Sequence, residues 1–235
     1  MGNNEGLQLS ARMAVPAGHV CQPGEPMYEV VQCATTGECE GVEEELARFK
    51  HMYAYLLTIS EVAQVEPFSD DVVRVYWLGG ELLNRFQPGH FSLLVDQMRA
   101  QGISPAILNA VEHSQPKFFL PFHFYKVMFE EGAFGQELGE TSLAKVNACM
   151  VRWGEVTELD GEEAVLTLNG IEKTENGLVI GQKETRMPMD QAYVQGLKIG
   201  DTVSVHLGLA NKILTAEETQ SVAFWTQEVL NRLKS

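Results

Sequence analysis

The sequence predicts an α+β protein: a mostly α-helical N-terminal part, then a small antiparallel β-barrel of the OB-like kind with a closing C-terminal helix. Three observations predict it. Apolar residues recur at three- and four-residue steps from Glu43 to about residue 130, the spacing of one helix face. After residue 145 they form short alternating runs joined by Asp160-Gly161 and Asn176-Gly177, the strongest short-range hairpin signals, and several such strands at close spacing imply a barrel. Thr215-Ala216-Glu217-Glu218 then reads as a capping box in front of a last helix.

Taken in order, residues 1–42 carry Gly, Pro and polar clusters such as Pro16-Ala17-Gly18 and Gln22-Pro23-Gly24, and are expected to be irregular. A helical domain is expected over 43–140. Leu46, Phe49, Tyr53, Leu56 and Leu57 give it a first buried face. Ser69 with Asp70 and Asp71 starts a second helix, whose apolar positions Val72, Val73, Tyr76, Leu83 and Phe86 carry it past residue 80. Residues 91–101 form a third, and Ser104-Pro105 opens a fourth, since Pro suits the first helical position after a capping Ser. The aromatic stretch from Phe118 to Tyr125 fits either a strand or a buried helix start. Gly132, Gly135 and Gly139 mark a linker, placing a boundary between 132 and 147.

The second domain is expected over 147–235. Cys149 stands at the start of its first strand, Ala164–Leu168 forms a second, and a short run near Ile171 pairs across Asn176-Gly177 with Leu178-Val179-Ile180. In 202–207, Val203, Val205 and Leu207 alternate with Ser204 and His206, which turns His206 away from the core face, toward the outer surface or rim. Val222, Trp225, Val229 and Leu233 stripe the closing helix.

Composition narrows the function. With 45% hydrophobic and 21% charged residues the chain is an ordinary folded protein, and its formal charge of -15 argues against a nucleic-acid surface, which needs clustered Lys and Arg. No apolar run is long enough for a membrane span, and the opening MGNNEGLQLSARM lacks the apolar run of a signal peptide, so the protein is expected in the cytoplasm. Cys21, Cys33, Cys39 and Cys149 follow no zinc pattern and should be mostly thiols in a reducing compartment. The stretch Cys33–Cys39, with Gly37 aiding a turn, also fits a small disulfide or a metal clip. There is no phosphate loop, nucleophile elbow or HExxH.

The second domain carries the chemistry. Cys149-Met150-Val151-Arg152-Trp153-Gly154, then Asp160-Gly161, then Gly200-Asp201-Thr202-Val203-Ser204-Val205-His206-Leu207-Gly208-Leu209-Ala210 and the acidic helix start resemble the HypC/HupF hydrogenase-maturation chaperones over about residues 147–234. Trp153 stands where that family has Pro, Leu209 where it has Phe, and Cys149 is internal rather than N-terminal. The resemblance implies a HypC-type barrel. It also implies a metallochaperone in which Cys149 and His206 hold an iron fragment bearing cyanide and carbon monoxide on its way to a nickel-iron hydrogenase. Its partners would be maturation factors or the large-subunit precursor. The residue types suit that cargo: a thiolate is a soft donor, imidazole a common nitrogen donor, and two protein ligands leave the fragment transferable.

Val20-Cys21-Gln22-Pro23, Val75-Tyr76-Trp77-Leu78-Gly79, Phe122-His123-Phe124 and Arg152-Trp153-Gly154 also resemble an uncharacterised bacterial family associated with hydrogenase gene neighbourhoods. That likeness makes Cys21 and His123 a possible additional site. Two other functions remain open from sequence: an enzyme that makes or modifies an iron ligand, and a pure interaction protein that has kept the barrel and lost iron. The client hydrogenase and the oligomeric state are not legible.

Overall fold

The computed structural model describes residues 4–21, 27–134 and 138–234, with side chains over the same ranges apart from 19–21. Ten α-helices and one five-stranded antiparallel sheet are found among them. They fall into two compact units, 1–15 with 26–122 and 16–25 with 123–235. The division therefore comes at Phe122/His123, ahead of the glycines at 132–139.

The first unit is helical. Its elements are α1 (Glu5–Cys21, as far as Val15), α2 (Tyr28–Thr36), α3 (Val42–Ala47), α4 (Lys50–Ala63), α5 (Asp70–Leu78), α6 (Phe91–Ala100) and α7 (Pro105–Ser114). α1 and α2 lie where irregular chain was expected. Leu9, Ser10, Ala11, Met13, Ala14 and Val15 are all buried, so α1 is covered on nearly every side, while in the sequence Pro16 and Gly18 read as breakers.

α4 packs on α5 and α6 through Met52, Tyr55, Leu56 and Ile59, a face turned slightly from the expected one. Tyr53 is only half-buried and stacks on Phe68 with ring centroids 5.5 Å apart. α5 stops at Leu78 because Gly79 leaves the helical region at φ 79°, and Leu83 follows in a short 3-10 turn, Glu81–Arg85. Ser104 caps α7 as expected, its hydroxyl accepting from Ile107 N–H at 3.5 Å. Cys33 and Cys39, expected mostly as thiols, are joined in a disulfide: Gly37, at φ 78°, ends α2 and turns the chain back on itself.

The second unit holds α8 (His123–Glu130), α9 (Glu140–Cys149), β1 (Arg152–Asp160), β2 (Glu163–Thr174), β3 (Gly177–Pro188), β4 (Thr202–His206), β5 (Leu209–Leu214) and α10 (Ala216–Leu233). The open Phe118–Tyr125 stretch resolves into irregular chain up to Phe122, tightened by Phe122 N–H on Leu120 O at 2.7 Å, and helix from His123. Strand order is β3-β2-β1-β4-β5. Both expected hairpin turns form, but β2 is one twelve-residue strand through Ile171 rather than two short runs.

The sheet is not the expected closed barrel. Among the described residues β3 and β5 remain at opposite edges, and twelve-residue β3 is poorly matched to six-residue β5. α10 packs against both edge strands, covering them as pairing would. Its N-terminus is the expected capping box: Thr215 Oγ1 accepts from Glu218 N–H at 3.1 Å, and Glu218 accepts from Thr215 N–H at 2.9 Å.

Candidate functional site

Cys149 ends a helix rather than starting a strand. Only Val146 of α9 is buried, so the helix has no apolar stripe for periodicity to reveal. What holds it is Asn147, whose side chain mimics a strand partner: its Nδ2 donates to Ile171 O at 2.8 Å and its Oδ1 accepts from Ile171 N–H at 2.7 Å. The next two carbonyls are also engaged. Ala148 O accepts from Leu207 N–H at 2.9 Å, and Cys149 O accepts from His123 Nε2 at 2.8 Å. The Cys149 thiol is outside any disulfide and half-buried.

His206 is the last residue of β4, before the two-residue turn Leu207-Gly208 into β5. Both turn residues have positive φ, 50° and 81°, as a tight hairpin turn requires. Leu207 adopts this region at a cost of about 1 kcal/mol, and its N–H finds the α9 carbonyl from there. Contrary to the outward placement expected from alternation, His206 is buried, with 2% of its surface exposed. Leu207 is in the turn and not on the core face, and Ser204 and His206 are as buried as Val203 and Val205, so both faces of β4 are covered. Over His206 lies His123, the first residue of α8, with ring centroids 5.1 Å apart and planes at 90°.

Three of the four candidate residues therefore meet in the second unit: His123 touches the cysteine's backbone with one nitrogen and packs its ring on His206. The side chain of Cys21 lies outside the described residues. His123 is itself buried, and its pKa is held well below the ordinary histidine value, chiefly by burial and then by His206 and Lys126, against the raising effect of the Cys149 carbonyl. The ring is neutral at pH 7, and its bond to a carbonyl puts the proton on Nε2.

Sequence reasoning passed over two neighbours of this cluster. Asn147 looks like any polar helix residue until Ile171 is brought beside it. Arg152 heads β1 opposite Val205, and by strand alternation it lies on the sheet face away from His206. Its Nε is buried without an acceptor among the described residues, and burial lowers its pKa. Trp153, opposite Ser204, shares the His206 face and is buried. Gly154 must be glycine, because a Cβ there would come within 2.9 Å of the β2 backbone.

Among the described residues, no group of three or more His, Cys, Asp or Glu side chains is arranged to hold a metal ion. The cluster is not a closed metal cage. A cavity of about 230 Å³ in the same unit, walled by Leu138, Leu178, Leu230 and Leu233, contains none of the candidate residues. No helix among the described residues is long and apolar enough to cross a membrane.

Fold and site together define an α+β protein whose second unit packs two buried imidazoles together, one of them bonded to the backbone of a half-buried cysteine, beside an open antiparallel sheet. Residues 2–235 match a family of unknown function, DUF6390, and the chain belongs to that family. Neither a curated protein nor a solved structure matches it.

Proposed function

We propose that the protein is a cytoplasmic accessory factor of nickel-iron hydrogenase maturation, carrying or handling the iron-cyanide-carbonyl fragment on Cys149 and His206. On this reading the second unit is a HypC-type module whose sheet is open. The observation that carries the proposal is the latch between the two ligand-bearing segments: Leu207 N–H on Ala148 O joins the residue after His206 to the residue before Cys149. Residues far apart in sequence are thereby held on neighbouring backbone. A soft thiolate and an imidazole, with no third ligand set, suit a cargo that must be handed on. Maturation factors or the large-subunit precursor would be the partners.

The test is iron analysis and infrared spectroscopy of protein purified anaerobically from cells co-expressing the maturation machinery. The expected result is stoichiometric iron with cyanide and carbon monoxide stretches, lost in Cys149→Ser and reduced in His206→Ala. Wild-type protein without these bands, or Cys149→Ser with undiminished iron, overturns the reading.

One observation favours a second reading, an interaction protein that has kept the module without iron: His206 is only 2% exposed, so cargo must enter through a local opening. Recovery of a maturation factor or precursor by iron-depleted protein, with no iron taken up from the co-expressed machinery, is its signature.

A further inference from the structure

We propose that His123 is a positioning residue of the Cys149–His206 site, orienting the cysteine's backbone and the partner imidazole at once, and so coupling α8 to both cargo-holding groups. The proposal rests on the carrier reading. It extends the site to a residue lying before the 147–234 region in which the sequence carries the chaperone likeness.

The geometry is specific to two atoms groups on one ring. Nε2–H donates to Cys149 O at 2.8 Å, across 26 residues of chain, and so fixes the peptide that directs the Cys149 side chain. The ring meets His206 edge to face, at 5.1 Å and 90°, an arrangement aromatic rings favour because a positive edge meets a negative face. A histidine needed only to fill the core would require neither contact, and a phenylalanine would fill the same space. Groups that orient a ligand through a second residue commonly change metal affinity by roughly 10- to 100-fold when removed. Because His123 is the first residue of α8, a shift of that helix would disturb the cysteine's backbone and the imidazole together.

Two variants divide the roles. His123→Gln retains a donor for Cys149 O and loses the ring, whereas His123→Phe retains the ring and loses the donor. The assay uses reduced, anaerobic full-length protein. It measures Fe(II) affinity, the rate of Cys149 alkylation by iodoacetamide read on its own peptide, and the ¹⁵N resonances of His206. Both variants are expected to lower Fe(II) affinity about tenfold. His123→Gln should move the His206 resonances and spare the alkylation rate; His123→Phe should change the rate and spare the resonances. Folded variants with wild-type affinity, rate and spectrum overturn the proposal.

Should either variant fail to fold, the wild-type spectrum decides: His123 as the Nε2–H tautomer supports the assignment, and the Nδ1–H tautomer refutes it. Wild-type protein that binds no Fe(II) removes the carrier reading and with it the site that His123 would position, whereas Fe(II) bound equally by wild type and both folded variants removes the positioning role alone.

Discussion

The two units solve burial differently. In the helical unit the interior is aromatic and aliphatic: Tyr55 meets Tyr76, and Phe119 receives Phe86 and Phe91 edge-on. Its buried polar residues among those described are Ser10 and Thr58, whose groups are small and uncharged. The sheet unit buries His123, Ser204, His206, Asn211, Glu218 and Thr226, so the buried histidines and the buried carboxylate among the described residues lie there. Burying a group that can carry charge is costly unless it is bonded or kept neutral, whereas apolar burial stabilises without such conditions. The first unit is thus built for cohesion. The second accepts a cost where His123 packs on His206 and bonds the Cys149 carbonyl, the kind of perturbed buried group that makes a candidate functional site.

The largest expected effect tests the cohesive side. Tyr76→Ala removes a fully buried ring and should cost about 4 kcal/mol, measured by denaturant unfolding. A loss below about 1 kcal/mol would mean that the aromatic packing is not what holds this unit.

Next comes the polar side. Glu218 is 3% exposed and takes Lys212 Nζ on both oxygens at 2.7 Å, besides capping α10. Glu218→Gln removes one member of that pair and should cost about 3 kcal/mol in the same measurement. A neutral result would erase the contrast, since the buried charge of the sheet unit would then contribute nothing to its stability.

The disulfide sharpens the contrast from the first unit. Replacing Cys33 and Cys39 together by Ser opens a short loop and should cost about 2 kcal/mol, seen as a lower midpoint of unfolding. If reducing agent leaves the wild-type midpoint unmoved, helical packing alone carries the unit.

The smallest effect is a slope. The folded-state pKa of His123 is depressed below its unfolded value of about 6.5, so between the two values the unfolded chain binds a proton that the folded protein does not. Its contribution is flat above about pH 6.5 and is lost as pH falls from there toward the folded pKa, by about 1.4 kcal/mol per pH unit. His123→Gln should remove that part of the slope when stability is measured from pH 7.5 to 5. Identical slopes in the two proteins would contradict a neutral, buried His123.

Fe(II) retention and the acid slope report different things, which is useful. The slope follows burial of His123 whatever the site holds, whereas on the proposed carrier function retention depends on Cys149 and His206 acting together.

Local chemistry made much of this protein legible from sequence. Ser104-Pro105 and the Thr215 capping box announce helix starts because the interactions involved span three residues. Gly161 and Gly177, at φ 63° and 99°, mark hairpins because those turns demand conformations that few other residues accept. Cys149 and His206 could be nominated by likeness, as residues of the right type in the right order. Tertiary structure decided the rest. Alternation says which side chains share a face of β4 but not what covers that face, so the burial of His206 under His123 could not be read from it. α9 stands on a side-chain bond to Ile171 instead of an apolar stripe, and such a bond leaves no period in the sequence. Whether the sheet closed was likewise settled by packing: strand lengths and a helix on both edges left it open, and these depend on how distant segments share space rather than on any residue's own preference.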